Sequence, residues 1–394
     1  MLKPRILTFV RYYLPAYKCG GPVRTIANMV EHLGDRLDFR IIASDRDSFE
    51  NRPFSGVEVN AWNRVGAASV FYASSEFMQV GNIVGLLRET PHDVLYLNSF
   101  LDPKFTVVPL WAFRFSRVTT KHVVLAPRGE FSPGASAIRS QKKRLYVAVV
   151  KLLGLYRNLT WQASSEYEAA DIRRVMGRTA QSIVVASNLS PAAENTKASI
   201  EVLRHLDGAP LRLVFLSRVS PMKNLDFALR VLRRVRVPVL FDIYGIVDDE
   251  NYWQHCKEQI DKMPRNVTVQ YHGVVEHDRV ATILLDHDLL LLPTRGENYG
   301  HVIYESLAAG TPALISDQTP WRNLDEAGVG WVRGLDDVEA FVKVIEGVAA
   351  LGNEPRRLQR ERARLYASRV TTNRDTVERN LALFAQPQDA AARI

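Results

Sequence analysis

The sequence has 394 residues, 46% hydrophobic and 24% charged, with a net charge of +8 and a pI near 9.4. That length suggests two domains or one large one, with enough apolar residues for a sizeable core and an ordinary soluble surface. Two cysteines, Cys19 and Cys256, exclude a disulfide framework and lack metal-ligand spacing, which points to a reducing compartment. The basic balance suggests an anionic partner: nucleic acid, an acidic membrane face or a phosphorylated small molecule.

The opening "MLKPRILTFVRYYLP" has an apolar run too short for a signal-peptide core, and it fits a first β-strand over 5–10. A glycine loop and the helical stretch "GPVRTIANMVEHLG" come next, then strand-like runs at 39–44, 93–99, 122–127 and 182–187. Runs apolar on both faces suit a parallel sheet covered by helices. The rhythm stops in a polar segment, and 191–209 is predicted to be a linker. It restarts with strands at 211–217, 239–245, 267–273, 288–294 and 312–316. The predicted fold is therefore α/β: two Rossmann-like, doubly wound domains, 1–190 and 210–365, facing each other across a cleft. The charged tail, 366–394, is expected to form a helix crossing back to the first domain. No uninterrupted apolar stretch reaches the roughly 18 residues of a transmembrane helix.

Open parallel sheets bind ligands beyond the carboxyl ends of their strands. The first strand leads into "CGGPVRT", where Gly20 and Gly21 let backbone amides approach a phosphate or sugar at a helix start. The first strand of the second domain leads into "SRVSPMKNLD". Arg218 and Lys223 there offer a planar fork and a mobile point charge, a combination suited to a diphosphate. The third such end is "RGENYGHVIYESLAAGTP". It predicts a loop over 294–300 and a helix from His301 to Ala309, ended by Gly310. Glu297 then lies in the loop and Glu305 about one turn inside the helix. Between them Gly300 leaves room beside the first helix amides. The bland alternative, Glu305 merely complementing the helix dipole, explains one carboxylate and not the arrangement.

These stretches, in this order, resemble the family 4 retaining glycosyltransferases. "ENYGHVIYESLAAGTPALISD" resembles their two-glutamate signature, "SRVSPMKNLD" their arginine–lysine loop and "CGGPVRT" their amino-terminal glycine loop. "SNLSP" at 187–191, "YG" at 244–245 and "YHGVV" at 271–275 follow the family's order too. The resemblance implies a GT-B fold, a nucleotide-sugar donor (UDP- or GDP-sugar) held mainly by the second domain, and neither metal nor other cofactor. It places Arg218 and Lys223 on the donor diphosphate, Glu305 on the ribose and Glu297 on the donor sugar. Asn298, Tyr299, Gly300 and His301 fall near phosphate and sugar, and Gly20 and Gly21 near diphosphate and acceptor. Arg218, Lys223 and Glu297 are the catalytic residues so implied, and Arg128 joins the set by its position and not by the resemblance.

One departure stands out. Where many members have a histidine beside the transferred sugar, this chain has Arg128, in "PRGE"; an arginine cannot serve as a base. Arg128 and Glu130 are expected to bind donor sugar or acceptor; Asp102 and Lys104, in "NSFLDPKF", read first as a plain loop and, under the subgroup resemblance that follows, as lining the acceptor side. The chain also resembles a subgroup that builds bacterial surface polysaccharides and lipopolysaccharides. That implies a glycan or lipid-diphosphate-linked acceptor and a cytoplasmic enzyme, peripheral on the inner face of the membrane.

The stretch 139–158, "RSQKKRLYVAVVKLLGLYRN", clusters cations around an apolar run. It reads either as a helix on an anionic bilayer or as a core helix with a basic end. Two further readings remain beside the transferase. A nucleotide-sugar epimerase of the same architecture needs carboxylate acid/base pairs in the first domain, and none is convincing. A nucleotide-sugar-binding protein without catalysis carries the same motifs. Nucleic-acid binding is not expected, since the basic residues form no aromatic-interleaved stripe.

Overall fold

The computed structural model describes residues 3–18, 20–116, 118, 120, 122–134, 140–191, 209–371 and 373–385. The chain divides into two units, residues 1–192 with 373–394, and residues 193–372. Most of the segment expected to be the linker, 192–208, lies outside the described residues.

In the first unit, β1 (Arg5–Phe9) is buried from Ile6 to Phe9, as a strand covered on both faces requires. The sheet continues with β2 (Asp38–Ser44), β3 (Trp62–Val65), β4 (Ala68–Ala73), β5 (Val94–Asn98), β6 (His122–Ala126), β7 (Thr160–Ala163) and β8 (Ser182–Val185). Their spatial order is β3-β4-β2-β1-β5-β6-β7-β8. Every pairing is parallel except β3 with β4, an antiparallel hairpin at the edge. Helices α1 (Gly21–Leu33), α2 (Val80–Glu89), α3 (Val108–Phe115), α4 (Ser140–Leu152) and α5 (Glu166–Met176) connect the strands. Sequence reading found neither β3–β4 nor β7. The edge strand β3 alternates exposed and half-buried residues, and β7 is only four residues long.

The second unit has a parallel sheet of β9 (Leu211–Leu216), β10 (Val239–Tyr244), β11 (Val267–Gly273), β12 (Leu289–Leu292), β13 (Ala313–Ser316) and β14 (Gly330–Arg333). The order is β11-β10-β9-β12-β13-β14. Its helices are α6 (Leu225–Leu232), α7 (Glu250–Ile260), α8 (His277–Leu285), α9 (His301–Ala309), α10 (Leu324–Ala327), α11 (Val338–Ala349) and α12 (Asn353–Thr371). All four leucines of β12 are fully buried, each side chain contributing about 2 kcal/mol. In both sheets the chain reverses its direction of winding beside the first strand, between β1 and β5 and between β9 and β12. These are the switch points where such sheets open a crevice.

The tail divides later than the expected boundary at residue 366. Helix α12 stays with the second unit to Thr371, because its arginines cap neighbouring helix ends. Arg360 donates to the carbonyls of Leu285 and His287, and Arg364 to that of Ala309. The tail joins the first unit from Asn373 onward, with α13 (Arg374–Ala382) its helix among the described residues. There Asn380 donates to the Ser187 carbonyl, and Phe384 packs edge-on against Phe39 and Tyr96.

Asp242, buried on β10, ties three elements of the second unit together. His272 of β11 lies 2.6 Å from one carboxylate oxygen and His287, after α8, 3.0 Å from the other. Burial pushes the Asp242 pKa up, but hydrogen bonds and charge from the two histidines outweigh it and hold the group below its ordinary value. A depressed folded-state pKa stabilises above the unfolded value near 3.8, and that contribution is lost as pH falls through the folded value. Asp242→Ala also strands the buried His287. It is expected to cost about 3 kcal/mol at neutral pH, and its deficit relative to the parent should shrink under acid conditions. Urea unfolding of parent and variant across pH measures both effects.

Candidate functional site at the switch point of the second sheet

The loops following β9 and β12 are sewn together by side-chain and backbone hydrogen bonds. Asn224, in a left-handed conformation at the start of α6, donates to the Pro293 carbonyl and accepts from Arg295. The Arg295 amide bonds the Met222 carbonyl at 2.8 Å, and the Glu297 amide bonds the Gln318 carbonyl at 3.1 Å. Trp321 donates through its indole nitrogen to the Tyr299 carbonyl. Two strand-end segments, those after β9 and β13, thereby hold the loop after β12, 294–300, in a fixed place.

In that frame Lys223 and Glu297, 74 positions apart in sequence, come into contact: Nζ to Oε1 is 2.5 Å. Their side chains are only 14% and 11% exposed. A lysine has three N–H donors, so Lys223 can keep Glu297 and still donate to a phosphate oxygen. A pair this enclosed is also screened less than a surface pair.

Helix α9 begins at His301 and ends at Ala309, as the sequence predicts, with Gly310 left-handed beyond it. Gly300 precedes it at φ +80°, and a Cβ there would come within 2.8 Å of the Ile303 side chain. Glycine is thus required by the left-handed turn and by the packing of Ile303 and Trp321 against it, just before a helix start where backbone N–H groups and the dipole favour an anion. No side chain caps the helix among the described residues. Tyr299 and His301 are buried, their rings 4.9 Å apart, so Asn298–His301 contributes backbone and shape more than exposed side chains. Glu305 lies one turn inside the helix with its side chain 17% exposed, and His277 of α8 is 4.0 Å from its Oε1.

Arg218 is not drawn into the Lys223–Glu297 contact. It is 45% exposed and pairs with Asp248 on the loop after β10, at 2.8 Å. Those two loops meet at Gly245, where φ is +143° and a Cβ would lie 1.9 Å from the Ser217 carbonyl oxygen. Any larger residue there would push the Arg218 loop aside.

The remaining candidates lie in the first unit. Gly20, at φ +61°, precedes α1, with Gly21 its first residue; Cys19 lies outside the described residues. Asp102 caps the turn at Pro103–Val107 through the amides of Lys104 and Phe105. It also accepts from Arg11 at 2.7 Å, bridging the ends of β5 and β1. Lys104 is exposed. The Glu130 carboxylate accepts from the Ser99 hydroxyl and the amides of Phe100 and Leu101, and burial pushes its pKa up. Arg128 donates to Asn98, to Asn188 and to the Tyr96 hydroxyl. It also lies over the Tyr96 ring. These contacts give Asp102, Glu130 and Arg128 firm positions built from their own loops.

Sequence reading missed Asn224, Arg295, Asp248, His277 and Trp321. Only Asn224 left a local signal, an asparagine next to a helix start; the others reach the site through tertiary contacts.

Two Rossmann-like halves, with charged side chains converging at the switch point of the second, define the GT-B class. Residues 202–365 match the family model "Glycosyl transferases group 1". Over 368 residues the chain is 21% identical to an uncharacterized 41.2 kDa protein in the cps region of Klebsiella pneumoniae, covering 93% of this chain and 96% of that one. It is 25% identical over 170 residues to glycogen synthase of Mycobacterium tuberculosis, 42% of this chain and 39% of that one. Among solved structures, Anabaena Alr3699/HepE in complex with UDP-glucose aligns with a TM-score of 0.70 at 17% identity, over 99% of this chain and 100% of that one. Sucrose-phosphate synthase of Thermosynechococcus elongatus aligns at 0.69 and 14%, with the same coverage. At these identities the structural likeness establishes the GT-B fold, and the family match covers residues 202–365, most of the second unit.

Proposed function

We propose that the chain is a retaining, metal-independent glycosyltransferase. It moves a sugar from a UDP- or GDP-sugar to a glycan acceptor, lipid-linked, in bacterial surface polysaccharide or lipopolysaccharide synthesis on the cytoplasmic side of the membrane. The observation that carries the reading is the enclosed contact between Lys223 and Glu297, beside the open helix start at Gly300. The cps-region relative and the UDP-glucose complex of the structural neighbour support the pathway and the donor class.

Lys223, Arg218 and the first amides of α9 would neutralise the donor diphosphate, and Glu305 would accept hydrogen bonds from the ribose hydroxyls. Glu297 would accept from the sugar. The acceptor oxygen attacks the anomeric carbon on the face the phosphate leaves, as the carbon–oxygen bond to phosphate breaks. The acceptor's proton passes to the departing phosphate oxygen. No side chain is then needed as base, and stabilisation of the leaving diphosphate becomes the dominant contribution.

The test is acceptor-dependent release of nucleoside diphosphate from a panel of nucleotide sugars, using lipid-linked glycan fractions, with the anomeric configuration of the product read by NMR. The α-sugar donors should give α-linked product. Release that ignores acceptor, or inverted product, would refute the reading.

A further inference from the structure

Helix α4 turns its apolar residues two ways. Val150 and Tyr146 face the first unit, where the Tyr146 hydroxyl meets that of Tyr156 at 2.8 Å. On the other side Leu145, Val149 and Leu152 form a stripe at helical spacing, 68%, 45% and 88% exposed, with Leu153 after it at 68%. A second apolar group sits on α3, where Trp111 and Phe115 lie one turn apart, 45% and 66% exposed, with ring centroids 5.8 Å apart. Arg114 joins the two by donating to the Leu155 carbonyl at 3.1 Å, fixing the end of α3 beside the turn that follows α4. Large side chains exposed in this number on adjacent helix ends mark an interaction surface.

Its charge selects the partner. Between residues 103 and 158 there are eleven lysines and arginines and one acid, Glu130, whose carboxylate is taken up by the backbone of its own unit. Not all of these cations face outward. Arg114, Arg128, Lys143 and Lys151 donate to groups of their own unit, and Arg117, Lys121 and Arg139 lie outside the described residues, whereas Arg144 and Arg157 are exposed. An exposed tryptophan and phenylalanine, leucines and the flanking Arg144 and Arg157 complement an anionic phospholipid bilayer.

The geometry points to α3 and the outer face of α4 as a membrane-docking surface, with Trp111, Phe115, Leu152 and Leu153 entering the headgroup boundary. Because two of the cluster's lysines are bonded inward, apolar insertion supplies most of the affinity and the arginines add a preference for anionic lipid. The surface is independent of the glycosyltransferase reading, since it requires only the first unit.

Flotation of the whole protein with phosphatidylglycerol-containing and pure phosphatidylcholine vesicles tests it, with sedimentation in parallel. The parent should float with both, more with the anionic vesicles, and keep much of its binding in high salt. Leu152→Ser/Leu153→Ser and, separately, Trp111→Ser/Phe115→Ser should each weaken binding roughly tenfold or more, with thermal unfolding unchanged because the residues are exposed. No flotation of the parent, or flotation untouched by both variants, overturns the proposal. So does a dimer that the same substitutions dissolve while vesicles are ignored, because a second copy would then own the surface.

Discussion

Lys223→Ala is expected to lower kcat/KM for nucleotide-sugar turnover by roughly 10²–10³-fold, the loss typical when one preorganised charge-stabilising donor is removed. The residue is placed for this by Asn224 and Arg295, which lock its loop to the loop of Glu297. The same substitution leaves the Glu297 carboxylate, 11% exposed, without the partner 2.5 Å away. It should therefore also destabilise the second unit, by about 1–3 kcal/mol. The two effects separate in a double variant. Lys223→Ala with Glu297→Gln should regain most of the stability, since no enclosed charge is left alone, and none of the activity. If the double variant recovered turnover along with stability, Lys223 would be a structural partner of Glu297 and nothing more.

Arg128 is the second position where a large effect is expected, and there stability and chemistry are intertwined. Its backbone sits at φ +55°, a conformation that costs a non-glycine residue about 1–2 kcal/mol. The neighbouring amide of Gly129 is held by Glu168, and the guanidinium is held by Asn98, Asn188 and Tyr96. Arg128→Ala keeps the strain and removes those bonds, so a loss of about 3 kcal/mol is expected. Arg128→Gly removes the strain as well and should be the more stable of the two by about 1 kcal/mol. If the guanidinium also touches sugar or acceptor, both variants lose turnover by a similar factor despite differing in stability. Activity that instead tracks the folded fraction would make Arg128 a clamp of its own loop only.

The second unit was largely legible because its chemistry is local. Pro293, Gly300, Gly310 and Pro312 punctuate a strand–loop–helix–strand sequence, and α9 occupies the predicted residues. The contact between Lys223 and Glu297 was not legible, because it depends on β9 and β12 being neighbours at the switch point. Neither was the separation of Arg218, which is set by the loop after β10 and its Asp248. In the first unit β1, β2, β5 and β6 could be read from their apolar runs, whereas the hairpin of β3 and β4 could not, since half of β3 faces solvent, and β7, though buried, is only four residues long. The stretch 139–158 left two readings open: one face of α4 packs inward, as a core helix does, while the outward leucines on its other face leave the bilayer reading to the flotation experiment. The boundary of the tail turned on arginines capping helix ends, contacts that a charged helical pattern does not reveal.

The central claim is that the switch point of the second sheet holds a nucleotide sugar. Calorimetric titration of the parent and of Glu305→Ala with UDP-glucose, GDP-mannose and the corresponding free diphosphates addresses it most directly. One base series should bind the parent, and Glu305→Ala should bind that series at least tenfold more weakly, as expected when a carboxylate accepting from the ribose hydroxyls is lost. A Glu305→Ala protein that binds like the parent, or a parent that binds none of these nucleotides, would contradict the account.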